Sequence, residues 1–188
     1  MQYTNVLYLL SSYLLVLVIC FSLNAQENKQ NGDEPAVVNS VDLDRYIGMW
    51  YEIAKIPNRF QKDCARNTTA TYTLREDGRI DVVNRCFEED GTKIEAKGIA
   101  RIVDTNTNAK LKVSFVRILG ISLFWGDYWV IGLEENYRYA IVGTPSRKYG
   151  WILSRQPQLY REDLDEIFTI LKNQGYNPDD FIMTEQTY

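Results

Sequence analysis

Residues 42–60 read "DLDRYIGMWYEIAKIPNRF". A short helical turn, Asp42 to Tyr46, runs into Gly48 and Trp50 at the start of a strand-like run over 49–56. A single tryptophan at a strand start is ordinary core chemistry, so the meaning of Trp50 depends on what the rest of the chain builds around it. From Val41 to residue 156 the chain repeats one pattern: short runs rich in β-branched and aromatic residues, divided by turn signals at hairpin spacing. The runs are 49–56, 68–75, 79–87, 93–103, 109–116, 127–134, 138–144 and 149–155. Glu76-Asp77-Gly78, Glu89-Asp90-Gly91, Asp104 to Asn108 and Thr144-Pro145-Ser146 supply the turns between them.

Beyond Pro157 the period changes. Leu164, Ile167, Phe168 and Leu171 fall at helical spacing among charges, with Gly175 where a helix would stop, and a last apolar run, 180–184, is available as a final strand. Eight strands with short links pair with their sequence neighbours, and a sheet of that size must curl or split to protect its edges. The expected fold is all-β: an eight-stranded antiparallel up-and-down β-barrel with one C-terminal α-helix packed outside it. Such a barrel is wide enough to hold one small ligand, and uniformly short connections favour it over a Greek-key sandwich.

Composition narrows the function. The 188 residues are 45% apolar and 24% charged, with a net charge of −4, which suits a soluble domain and lacks the basic footprint of nucleic-acid binding. There is no histidine, which removes Ser-His and Cys-His nucleophile pairs and His-ligated metals, and the three cysteines are too few and too widely spaced for a zinc cluster. No cofactor and no metal is expected. Residues 1–25 carry a nearly continuous apolar run ending at Asn24-Ala25-Gln26 and read as a secretory signal cleaved after Ala25; a retained anchor is the alternative. Cys20, in "LVIC", has Ile19 where lipid-attachment sites take a small residue, which argues against acylation there. Residues 26–41 read as a polar linker, and 42–188 as the domain. Export places the domain in periplasm or cell envelope, where disulfides persist. Pairing of the strands on either side of the 76–78 turn brings Cys86 opposite residues 67–69, close enough to bridge to Cys64.

Gly48-Met49-Trp50 after its helical turn resembles the G-x-W motif of the lipocalin family. Two further blocks follow in order: "EENYRYAIVGTP" (134–145), which has Glu135-Asn136-Tyr137 where the family has Thr-Asp-Tyr, and "GWILSRQP" (150–157), which supplies the family's late arginine as Arg155. The likeness spans about Leu43 to Phe181 and is closest to the bacterial outer-membrane, plant temperature-induced and apolipoprotein D branch. It implies that Gly48, Trp50 and Arg155 close one end of the barrel, the guanidinium lying over the indole. It also implies a binding protein and not an enzyme, whose cargo is a small hydrophobic or amphipathic molecule of fatty-acid or lysophospholipid type.

With Trp50 turned inward, alternation sends Glu52, Ala54 and Ile56 to the lumen and Tyr51 and Ile53 outward. Similar counting places Tyr128 and Val130, Tyr139 and Ile141, and Trp151 and Leu153 inside, a mostly apolar lining with a few polar tips. The plainer alternative is that these residues simply fill a small core. Glu52 needs a partner there, a Tyr hydroxyl or an Arg near the base, and a structural network suits it better than a ligand-head role. The stretch 117–127 is too apolar for a solvated loop; Leu119, Ile121, Leu123, Phe124 and Trp125 form either a rim that touches a membrane surface or a hairpin folded over the cavity. Two rival readings are a lipid-modifying lipocalin enzyme with Cys64, Glu52 or a tyrosine as the reactive group, and a membrane-associated stress-protection protein whose working surface is the apolar rim. Asn67-Thr68-Thr69 matches a glycosylation acceptor.

Overall fold

The computed structural model describes residues 34–118 and 121–187. The signal segment 1–25, Cys20 and Leu119 lie outside these. Ten strands precede the long helix: β1 (Gly48–Lys55), β2 (Arg66–Leu74), β3 (Ile80–Phe87), β4 (Lys93–Ile102), β5 (Lys110–Ser114), β6 (Val116–Ile118), β7 (Ile121–Leu123), β8 (Gly126–Leu133), β9 (Tyr139–Gly143) and β10 (Gly150–Ser154). A one-turn helix α1 (Leu43–Tyr46) leads into β1, helix α2 (Arg161–Asn173) follows β10, and β11 (Ile182–Met183) comes last. Strands β1 to β5 and β8 to β10 pair in sequence order, and β10 pairs back onto β1, so the sheet closes into an eight-stranded antiparallel barrel. Closure removes most of the edges, though not where β1 and β2 part.

That gap is filled by the C-terminal segment. β11 pairs with Ala54 and Lys55 of β1, the Asn67 amide donates to the Glu185 carbonyl, and the Gln186 side chain donates to the carbonyls of Glu52 and Thr68. β6 and β7 form a separate hairpin between β5 and β8, at the end of the barrel opposite Trp50.

Two apolar layers result. One lies inside the barrel and takes residues from all eight strands, among them Trp50, Tyr72, Val82, Leu111, Val130, Val142 and Leu153. The other lies outside, where Ile53, Ala54, Trp129, Ile131, Tyr139, Ile141 and Ile152 meet Ile167 and Leu171 of α2. Ile167 and Leu171 are fully buried there, worth about 1.5–3 kcal/mol each. Arg138 grips Asp163 through two bonds of 2.9 Å, tying the start of α2 to the β8–β9 turn, and Gly175, at φ +77°, ends the helix.

The expected linker needs correction over its last residues. Pro35 and Val41 are buried, Val37 and Val38 pack on the barrel, and the amides of Val38 and Val41 donate to the carbonyls of Val130 and Thr107. Its polar average hides three valines that have apolar surface to cover.

Candidate functional site

The closed end is assembled by short-range chemistry. Asp42 caps α1 by accepting from the amides of Asp44 and Arg45, which sets Tyr46 under the barrel. Gly48 then turns the chain at φ +96°, a conformation costly for any side chain, and a Cβ there would lie 3.4 Å from the Arg155 guanidinium. Arg155 sits 3.8 Å above the centre of the Trp50 ring and donates to the carbonyls of Met49, Arg45, Tyr46 and Ile47. Burial depresses its pKa, but the guanidinium stays charged. Trp50 has no exposed surface and donates its indole N–H to the Tyr46 carbonyl at 2.8 Å.

Above this plug stands a group of three tyrosines. The Tyr128 hydroxyl is 2.8 Å from that of Tyr46 and 3.0 Å from that of Tyr72. Burial holds the Tyr72 phenol up at about 12 and pushes Tyr46 and Tyr128 upward as well, so all three are protonated at neutral pH.

Where the strands face inward, the side nearest β2 to β4 is lined with small residues. Trp50 pairs with Ala70, Ala70 with Asn84, and Asn84 with Ala96, which carries one face around the wall, and Gly98 follows opposite Val82. Ala70, Asn84, Ala96, Tyr128 and Trp151 all retain accessible surface although they point into the barrel. At these positions the inner face is not fully covered by neighbouring side chains. A recess of about 450 Å³ lies beside the β6–β7 hairpin, with Val82, Lys97, Gly98, Phe115 and Ser122 among its walls.

Of the residues expected in the lining, Tyr128, Val130, Trp151 and Leu153 belong to the inner layer. Ala54, Tyr139 and Ile141 do not: they are in the outer layer under α2, and Ile56 packs against that layer too. The reason is a pair of β-bulges. The pairing of β1 with β10 slips between Glu52 and Ala54, and that of β8 with β9 slips between Val130 and Gly132, so alternation is broken at Ile53 and Ile131. On β9 it is Ala140 and Val142 that face inward, opposite Leu153 and Trp151.

The bulge at Ile53 also turns Lys55 inward beside Glu52, their side chains 3.1 Å apart. Glu52 is 3% exposed, and its oxygens further accept from Gln61 (2.6 Å) and Thr184 (2.7 Å). Gln61 in turn accepts from Asn58 and from the indole N–H of Trp151. The partners expected for Glu52, a tyrosine or an arginine near the base, are thus replaced by Lys55, by Gln61 of the loop that follows β1 and by the distant Thr184. With its oxygens so engaged, Glu52 serves as a latch on the 57–65 loop.

Cys64 and Cys86 form a disulfide, with Cα atoms 5.5 Å apart, which anchors the end of that loop. Of the apolar 117–127 stretch, Ile121 and Phe124 are exposed at 65% and 81%, and Ile118 is exposed beside them. Leu123 and Trp125 are half-buried, the latter with the Arg101 guanidinium 4.6 Å over its ring, so these two are not tips of a rim. Glu134, not the Glu135-Asn136 pair, caps the β8–β9 turn by accepting from the amides of Asn136 and Arg138.

Tyr46, Tyr72, Asn84, Lys55 and Gln61 escaped the sequence reading. Tyr72 and Asn84 could have been reached by carrying the inward face of Trp50 across β2 and β3. Nothing local marks Tyr46, Lys55 or Gln61. Among the described residues no group of His, Cys, Asp and Glu could hold a metal, and no helix is long and apolar enough to cross a membrane.

Residues 41–186 match the lipocalin-like domain family. The chain is 40% identical over 151 residues to outer membrane lipoprotein Blc of Escherichia coli K12, covering 80% of this chain and 82% of that one. It is 40% identical over 147 residues to temperature-induced lipocalin-1 of Arabidopsis thaliana, with 77% and 78% covered. Apolipoprotein D of Macaca fascicularis is 34% identical over 162 residues, with 81% and 80% covered. Among solved structures, insecticyanin from Manduca sexta superposes with a TM-score of 0.65 at 23% identity, covering 82% of this chain and 89% of that one, a likeness of fold.

Proposed function

For a chain that belongs to the lipocalin family, whose members bind small hydrophobic ligands, we propose an exported carrier that is not an enzyme. It holds a fatty acid or lysophospholipid in the barrel at the cell envelope. The observation that carries this reading is the lumen: Tyr128, Trp151, Asn84 and Ala96 keep accessible surface inside a closed wall. An apolar pocket with a few polar groups suits an amphipathic guest. The name of the Escherichia coli relative, an outer membrane lipoprotein, supports the envelope. Cleavage after Ala25, leaving the domain at 42–188 behind its leader, belongs to the same proposal. The enzymatic alternative loses two candidates, since Cys64 is bonded to Cys86 and the Glu52 oxygens are taken.

The test is native mass spectrometry of the protein from its own envelope fraction, followed by organic extraction and titration with oleate and lysophosphatidylcholine. A stoichiometric lipid, and an N-terminus beginning at Gln26, are expected. A barrel that is empty and refuses both lipids refutes the carrier.

A second reading adds a membrane contact at the open end. It is favoured by the exposure of Ile118, Ile121 and Phe124 on one hairpin, with Phe60 exposed at 68% on the 57–65 loop beside Arg59 and Lys62. Phe124→Ser with Ile121→Ser should abolish sedimentation with anionic vesicles and leave lumen binding intact.

A further inference from the structure

Near the open end, one strand of the barrel outruns its neighbour. β3 and β4 pair from Ile80 opposite Ala100 to Phe87 opposite Lys93, but β5 ends at Ser114, opposite Ile99. There the Ser114 hydroxyl donates to the Leu123 carbonyl, and the chain leaves the sheet as the β6–β7 hairpin, which among the described residues pairs only with itself. Residues 93–97 of β4 are therefore paired on one side alone. The Glu88 amide donates to the Thr92 carbonyl across the β3–β4 turn, and the Val103 amide to the Lys110 carbonyl between β4 and β5. Even-numbered residues of β4 thus bond β3, and odd-numbered ones face the other way. Above Ile99 the odd residues are Lys97, Glu95 and Lys93, whose N–H and C=O groups point to where no strand lies. Ala96, which faces the interior, is exposed for the same reason.

The recess of about 450 Å³ lies at the lower end of this edge, between Lys97 and Gly98 on one side and Phe115 and Ser122 on the other. Charge says what suits it. Arg85, Lys93 and Lys97 surround a single carboxylate, Glu95, at 2.8, 3.6 and 3.4 Å, and the two lysine side chains stay 51% and 76% exposed. Three cations share one anion. Lysines on an open edge repel most strands, and a second copy of this chain would bring the same surplus of positive charge against it. An acidic strand would relieve that surplus. Asp81, which also borders the recess, is held by Arg75 at 3.1 Å, and Glu88, Glu89 and Asp90 sit in the turn beyond Lys93. Acids of an added strand are therefore favoured level with Lys93 and Lys97 and no further out.

We propose that residues 93–97 are a strand-acceptor site for another protein: an extended segment with acidic residues at alternate positions adds to β4, bonds the backbone of Glu95 and Lys97, and sets its acids beside Lys93 and Lys97. Its lower end lies in the recess. The site is on the wall of the barrel and needs no cargo in the lumen.

The probe is a short blocked peptide of alternating valine and glutamate, labelled with fluorescein, and its counterpart alternates valine and lysine. Fluorescence polarisation with the purified protein should show the glutamate peptide bound about tenfold tighter or more, and Lys93→Glu with Lys97→Glu should reverse the order. Both lysines are exposed, and a gain of the lysine peptide shows that the double variant is folded. Amide exchange reads the edge itself. The glutamate peptide should protect the amides of Glu95 and Lys97 and leave those of Ala96 and Gly98, already turned to β3, unchanged. Equal affinity for the two peptides, or binding without protection at 95 and 97, overturns the proposal. So does protection there that grows with protein concentration alone, which gives the edge to a second copy. Failure of the peptide to bind, with vesicle sedimentation lost in the double variant, makes these lysines a membrane contact instead.

Discussion

The two ends of this barrel are closed by different kinds of chemistry. At the Trp50 end, residues within a few positions of one another do most of the work: a capped turn, a glycine at φ +96° and an indole that returns to the turn's own carbonyl, with Arg155 and the β8–β9 turn residues Glu135 and Tyr137 as the remote parts. At the other end, the Glu52 latch draws on Lys55, Gln61 and Thr184, a disulfide spans 22 positions, and the β6–β7 hairpin leaves apolar side chains in solvent. The first arrangement is redundant, with four carbonyls held by one guanidinium. The second joins segments that meet only when the whole chain is folded, and elements of that kind open first.

Breaking each end should expose the contrast. Trp50→Ala removes the largest fully buried side chain and strands the guanidinium above it; a loss of about 3–5 kcal/mol in urea unfolding is expected, with a single transition and reduced protection throughout the barrel. A local loss of protection confined to residues 43–50 would mean that the plug is an appendage.

Lys55→Met leaves the buried Glu52 without its cation. About 3 kcal/mol should be lost, part of it recovered in the Glu52→Leu, Lys55→Met pair, because two apolar groups are easier to bury than one unpaired charge. Here amide exchange should rise first over 57–65. A double variant no more stable than the single would show that Gln61 and Thr184 hold Glu52 unaided.

The smallest effect at working pH comes from the tyrosines of the lumen floor. Their folded pKa values lie above the unfolded value of 10, by burial, with Tyr72 at about 12. Above pH 10 the unfolded chain therefore holds fewer protons than the native one, and stability falls as pH rises from 10 through 12 and is untouched below. A titration of phenolate absorbance should show these phenols silent until unfolding; their ionisation in the intact barrel near pH 10 would contradict their burial.

The same contrast decides what could be read in advance. Alternating runs and turn residues foretold the strands within a residue or two, since hairpin pairing is local, and the Cys64–Cys86 bridge followed from the first hairpin. What misled was parity. "WYEIAK" reads as simple alternation, and nothing in its letters announces that Ile53 is an extra residue which turns Ala54 out and Lys55 in. On β9, five consecutive residues are buried, so no polar position marks which face is which. Half of the inner lining was therefore legible, and the half beyond each bulge was not. Glu52 needs a partner by its burial alone, but which one depends on a bulge that turns Lys55 in, on the fold of the next loop and on the docking of Thr184, information that exists only in three dimensions.

The C-terminal wedge between β1 and β2 also bears on the order of assembly. The upper half of the first strand is paired on one side with residues 151–153 and on the other with 182–184, and the Glu52 carbonyl waits for Gln186. The wall therefore cannot seal before residues 182–186 are in place. The first barrel strand remains half-paired until residues 182–186 arrive, a long-range topology that folds slowly and leaves an open edge in the meantime. The barrel thus closes around its interior in a late step, after the C-terminal segment has docked.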